Sequence, residues 1–174
     1  MLVGSDVYVI GGATGLNADT AVASASGYRY DTAQNEWSSL PPMPEARYAC
    51  SACVLYVMGG KSASYTVLSS VIRFDPVSSS WSTVAPMSTA RAFLGSYPLG
   101  GCLYAAGGYG GHNYLNTVEK YDPDTDSWSA VGAMGHIRSG FCAQSMKLEV
   151  NLFDALIARA EAMSRGANSG RGVR

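Results

Sequence analysis

The chain is poor in charge. Only 14% of its 174 residues are Asp, Glu, Lys or Arg, and they leave a formal net charge of −1. That balance excludes the basic footprint of a nucleic-acid binder and the polybasic face of a protein held at an anionic membrane. No apolar run reaches the length of a membrane span. No charged leader precedes an apolar core after Met1, so a secretory signal is not expected. Histidine is scarce, with only His112 and His136 present. The four cysteines are Cys50, Cys53, Cys102 and Cys142. The first two have the spacing of half a zinc knuckle, but no second pair answers them. They read as reduced, small apolar residues, with no metal or cofactor expected. A reducing, cytoplasmic setting is therefore expected. Also missing are a serine nucleophile elbow, a zinc-protease helix motif and a phosphate loop between strand and helix. No catalytic set is visible, and the chain is not expected to be an enzyme.

Glycine is what the chain has in quantity, at 20 residues, and apolar residues make up 47% of a globular composition. The glycines are not scattered. Gly11-Gly12, Gly59-Gly60 and Gly107-Gly108 each end a short apolar run, VYVIGG, LYVMGG and LYAAGG. Tyr8, Tyr56 and Tyr104 each stand three residues before the first glycine. Each pair is followed by a small, polar loop, then by an aromatic–Asp pair: Tyr30-Asp31, Phe74-Asp75 and Tyr121-Asp122. A turn follows, with Asn35 suited to unusual backbone angles in the first pass. Trp37, Trp81 and Trp128 open the next strand, and Arg47, Arg91 and Arg138 recur after it at intervals of 44 and 47 residues, the second pass beginning at Arg47. A repeat of about 45–50 residues holding about four short strands is the mark of a β-propeller blade. A four-stranded sheet cannot bury both faces alone, and stacking sheets side by side buries them against each other. Aromatic residues at fixed places are expected to fill the space between sheets. The paired glycines let backbone approach closely or take positive φ.

Double glycine, aromatic–Asp, Trp, then Met and Arg resembles the kelch repeat, over about residues 1–146. The resemblance implies an all-β partial propeller of about three four-stranded blades, with the glycines in the second strand of each. It implies blades at about 1–46, 47–90 and 91–137, with an extra strand at 139–146. It also implies a protein partner held by loops at one end of the ring. Many kelch proteins present substrates to cullin-type ubiquitin ligases through a separate BTB domain, and others bind actin. This chain holds no BTB-like segment.

Two departures from the pattern stand out. Arg91 to Gly107 spans 16 residues, but Arg47 to Gly59 spans 12. The third pass has a turn at Pro98–Gly101, whereas YACSACVLYVM in the second runs unbroken, so its first hairpin turn is expected to be missing and its first strand stunted or strained. Propellers have about 4–8 blades, commonly six in this family. Here the first blade is expected to lack an opening strand, and residues 139–146 read as the opening strand of a further blade. The alternatives are an open arc, a homodimer completing a ring, or a truncated product.

After Met146 the pattern changes. Residues 147–166 read as a helix, with Asn151 at its start and an apolar stripe of Leu152, Phe153, Leu156, Ile157, Ala160 and Met163. The stripe is expected to cover an exposed blade face, with partner binding as the alternative. Residues 167–174 read as a disordered tail.

Features that recur in every pass read as scaffold: Asp31, Asp75 and Asp122 at strand ends, and Arg47, Arg91 and Arg138 paired or stacked within blades. Residues that differ between passes, in the loops after the glycines, are the candidates for recognition. They are Tyr109, His112, Asn113 and Tyr114 in the third pass, Lys61, Ser64 and Tyr65 in the second, and Thr14, Asn17 and Asp19 in the first. The leading expectation is a non-catalytic interaction module recognising a protein, with ligase substrate recognition as its use. Actin binding or a structural scaffold is the alternative, and a propeller enzyme acting on a small molecule is a third.

Overall fold

Three antiparallel four-stranded sheets, each a simple meander, form the frame in the computed structural model, which describes residues 2–3, 6–15 and 22–143. The first sheet holds β1 (Leu2–Val3), β2 (Asp6–Ile10), β3 (Gly27–Asp31) and β4 (Glu36–Ser39). The second holds β5 (Ser51–Cys53), β6 (Tyr56–Met58), β7 (Val71–Asp75) and β8 (Ser80–Val84). The third holds β9 (Gly95–Leu99), β10 (Cys102–Ala106), β11 (Val118–Asp122) and β12 (Ser127–Val131). Two-residue ladders join Ala13–Thr14 to Val22–Ala23 and Arg47–Tyr48 to Lys61–Ser62.

Every third and fourth strand is joined by the same turn. The Asp that ends the third strand accepts from turn N–H groups: Asp31 from Ala33 and Gln34, Asp75 from Val77, Asp122 from Asp124, at 2.9–3.0 Å. Two residues before each Trp the backbone turns left-handed, at Asn35 (φ 58°), Ser79 (φ 50°) and Asp126 (φ 45°). Each Trp then stands opposite the aromatic of the third strand, with ring centroids 5.0–5.2 Å apart.

The core lies between sheets. Tyr8, Leu55 and Phe74 pack with Ile10, Leu40 and Trp81 between the first and second. Met58, Val71, Met87, Leu94, Leu103, Ala105 and Tyr121 fill the space between the second and third. Burial on both faces, expected of β2, is found in β6, where Val57 and Met58 are fully covered. In β2 it fails: Val9 is 50% exposed, because no sheet precedes the first among the described residues. Trp37 is 57% exposed for the same reason. Trp81 and Trp128 instead reach the preceding sheet's tail, each donating its indole N–H at 2.9 Å, to the Pro41 and Ala85 carbonyls respectively.

Four local expectations are corrected. The first blade does have an opening strand, β1, two residues long and paired Leu2 to Val7 and Val3 to Asp6. The glycine pairs lie just past the second strands rather than within them. The second sheet does have its hairpin turn, at Val54-Leu55, with φ of 47° and 64°. In the third sheet Gly100-Gly101 fill that turn at 59° and 80°. The four missing residues come two from each arm, so β5 pairs with β6 over three positions where β9 pairs with β10 over five, in matching register. Finally, residues 139–143 carry no strand, since no second strand follows for them to pair with among the described residues. The rest of the segment at 139–146, the helix at 147–166 and the tail at 167–174 lie outside the described residues.

Candidate partner-binding face

The loops after the glycine pairs and the connections carrying the arginines emerge at the same end of the sheets. The arginines fasten that end. Gly12, Gly60 and Gly108 donate their N–H to the carbonyls of Arg47, Arg91 and Arg138, at 2.9, 2.8 and 2.7 Å. The Arg47 side chain then crosses to the second sheet, donating to the carbonyls of Gly59 (3.2 Å) and Ser70 (3.3 Å) and to the Ser70 hydroxyl (3.1 Å). Arg91 repeats this in the third sheet, on the Gly107 and Thr117 carbonyls (2.9 and 3.0 Å) and the Thr117 hydroxyl (2.8 Å). Both guanidinium groups are buried, whereas Arg138 is exposed. The Arg47 and Arg91 side chains thus bond inside the stretches 47–90 and 91–137 that each arginine opens, while their main-chain carbonyls accept from the glycine pair of the preceding sheet.

Closer to the inner strands runs a second belt. Two residues after each arginine the backbone is left-handed, at Ala49 (φ 53°), Phe93 (φ 56°) and Gly140 (φ 66°). Phe93 N–H donates to the Ala49 carbonyl (2.7 Å), and Gly140 N–H donates to the Phe93 carbonyl (2.9 Å). The belt turns the Phe93 ring outward, 41% exposed.

Against that ring the structure builds a cleft of about 390 Å³, lined by Lys61, Phe93, Tyr109, Tyr114 and Ser139. The Lys61 ammonium lies 5.6 Å from the Phe93 ring centre and 5.4 Å from that of Tyr109. Ring faces attract a cation, and the contact fixes the side chain across the cleft. No carboxylate pairs with Lys61 among the described residues. Tyr109 and Tyr114 rings pack at 5.4 Å, and the Tyr109 hydroxyl donates to the Gly111 carbonyl at 2.5 Å. The cleft therefore offers one cation, three aromatic surfaces and the hydroxyls of Tyr109, Tyr114 and Ser139.

Three of the candidate residues, Lys61, Tyr109 and Tyr114, thus meet. The others do not line the cleft. Ser64 bonds Ser62 and Thr66 across its own turn. Tyr65 packs edge-on against Tyr48 at 6.4 Å. His112 and Asn113 stand exposed at a turn tip, where the Asn113 carbonyl accepts from Gly110. Thr14 is exposed, its hydroxyl 3.4 Å from the Val22 carbonyl. Asn17 and Asp19 lie outside the described residues. Phe93 and Ser139 were missed. Phe93 stands where the other passes have Ala49 and Gly140, so a search for non-repeating residues beside the arginines would have found it.

A second hollow of about 500 Å³ lies between the first and second sheets, lined by Asp6, Arg29, Leu40 and Phe74 among others. Its charges satisfy one another: Arg29 pairs with Asp6 at 2.8 Å and with Asp31 at 3.2 Å. Burial pushes the Cys50 thiol up, and that of Cys53 too, against a hydrogen bond with Ser96. Buried thiols with raised pKa are poor nucleophiles. No cluster of three or more His, Cys, Asp or Glu groups that could hold a metal occurs among the described residues.

The sheets, the glycine pairs and the arginine fastenings define a kelch propeller segment. The KLHDC2/KLHL20/DRC7 Kelch-repeats domain matches residues 1–153, and the chain belongs to the kelch-repeat family. It is similar to Kelch-like protein 21 of Danio rerio, 39% identical over 64 residues, which is 34% of this chain and 10% of that protein. A solved structure of YjhT superposes with a TM-score of 0.68 at 16% identity, a likeness of fold, covering 80% of this chain and 52% of that one. The chain thus spans about half the length of that structure and a tenth of Kelch-like protein 21. No helix among the described residues is long and apolar enough to cross a membrane.

Proposed function

We propose that the chain is a non-catalytic interaction module of the cytoplasm that holds a protein partner at the Lys61 cleft, and that its use is substrate recognition for a cullin-type ubiquitin ligase. One observation carries the reading: Lys61, Phe93, and Tyr109 with Tyr114 converge from three separate connections, and none of them is repeated through the passes. Residues that hold the frame recur, whereas these can vary to fit a partner. Tyrosine and phenylalanine bury much area at low entropic cost, and the belt beneath holds them rigid. Membership of the kelch family supports protein recognition, and the likeness to Kelch-like protein 21 is consistent with ligase use.

Pull-down from cell lysate, with the wild-type chain and the double variant Lys61→Glu/Tyr114→Ala, tests this reading. Ligase components are expected on the wild type and lost from the variant. Equal capture by both proteins would remove the cleft from the account. Actin retained in place of ligase components would replace the ligase reading with a cytoskeletal one.

A further inference from the structure

We propose that two copies of this chain join head to tail, the third sheet of one against the first sheet of the other, and close a ring of six sheets. Neighbouring sheets meet at a junction that the chain builds twice with the same atoms. The arginine after one sheet donates to the glycine-pair carbonyl and the Ser or Thr before the third strand of the next. The tryptophan of the later sheet donates to a carbonyl four residues beyond the tryptophan of the earlier one. In the second junction the turn also takes part, with the Ala85 N–H donating to Asp126 Oδ1 at 2.9 Å.

The two outer faces carry the two separated halves of this same junction. Beyond the third sheet stand Arg138 and the carbonyl of Gly132, the equivalents of Arg91 and Ala85. Arg138 is exposed, and its side chain has no hydrogen bond or ion pair among the described residues, whereas Arg47 and Arg91 are 1% and 0% exposed. Before the first sheet stand Trp37 and Asn35, and the carbonyls of Gly11 and Ser26, the equivalents of Gly59 and Ser70. No arginine reaches those carbonyls among the described residues. Apolar surface accompanies both halves: Ile137 is 60% exposed on one, and Trp37 57% and Val9 50% on the other.

A second copy presents what each face lacks. Its Arg138 would donate to the Gly11 carbonyl and Ser26, and its Gly132 would accept from the Trp37 indole and donate to Asn35. A head-to-tail contact forms a ring when its rotation closes, and two copies then share two equal junctions.

Sedimentation equilibrium of the full 174-residue chain tests the proposal beside two variants, Arg138→Glu and Trp37→Ala. Circular dichroism and thermal melting check that each variant is folded. The wild type is expected at twice 18.2 kDa and both variants at that mass singly. A monomeric wild type would overturn the proposal and assign the faces to residues beyond 143 or to another chain. A ladder of higher masses would overturn closure. A dimer that survives both substitutions would place the contact elsewhere.

Discussion

The Arg91 guanidinium donates to Glu119 Oε1 from two of its nitrogens, at 2.9 and 3.3 Å, with both side chains almost wholly buried. The same carboxylate accepts from Ser88 N–H (2.7 Å) and Thr89 N–H (3.1 Å), so it ties the connection after the second sheet to the third. The second sheet has Ile72 in the equivalent place. There the one carboxylate on Arg47 among the described residues is the half-exposed Glu45, at 3.3 Å, and the Arg47 Nε is buried without a partner. The two fastenings are alike in plan and unequal in strength.

That inequality makes stability depend on pH. Burial raises the Glu119 carboxyl, but the hydrogen bonds from Arg91 and Ser88 outweigh it, and its pKa lies below the ordinary 4.5. A depressed carboxyl contributes stability that is present above its unfolded value and lost as pH falls through the folded one. Urea unfolding at falling pH is expected to show the wild type losing stability more steeply below 4.5 than Glu119→Gln, which cannot titrate there. Parallel slopes would remove Glu119 from the account.

The turn at Val54-Leu55 places two bulky residues where glycine or asparagine is favoured. A left-handed residue costs about 1–2 kcal/mol when it is not glycine. Leu55 offsets this by packing with Tyr8 and Phe74, 8% exposed, whereas Val54 is 47% exposed. Val54→Asn is therefore expected to stabilise by about 1 kcal/mol. Leu55→Gly is expected to destabilise by about 2 kcal/mol or more, since the buried side chain outweighs the relieved turn. Thermal melts of the two variants separate the effects by sign.

The first glycine of each pair is required for space as well as for φ. A Cβ on Gly59 would lie 2.2 Å from the Arg91 carbonyl oxygen, whereas one on Gly12 would meet nothing within 4 Å. Gly12→Ala is expected to cost about 1–2 kcal/mol, from the left-handed backbone alone. Gly59→Ala adds a clash of roughly 1–3 kcal/mol with backbone that cannot move aside. Equal midpoints in urea would contradict the close approach.

The sheets could be read from the sequence because each pass repeats its own punctuation. Apolar runs end at glycine pairs, Asp31, Asp75 and Asp122 mark the turns, and each Trp starts a fourth strand. Three repetitions fix a register that one would not. The hairpin at Val54-Leu55 escaped notice because neither residue carries a turn signal; its packing against the first sheet offsets the backbone cost. The cleft was half legible. Lys61, Tyr109 and Tyr114 differ between passes, but Phe93 hides inside the arginine segment, whose repetition suggested scaffold. Exposure of Trp37 and Arg138 could not be read from the repeat, since their equivalents are covered and the pattern treats all three alike.

Each arginine fastens the sheet before it to the sheet after it, so identical residues differ in worth according to the sheet that lies beyond them. Arg47→Ala, Arg91→Ala and Arg138→Ala, unfolded in urea at a dilution where the chain is monomeric, test this most directly. Arg91→Ala is expected to lose about 3–5 kcal/mol, because it strands the buried Glu119. Arg47→Ala is expected to lose about 1–3 kcal/mol in hydrogen bonds, and Arg138→Ala to stay within about 0.5 kcal/mol of wild type. Equal losses at all three positions, or none at Arg91, would contradict the account.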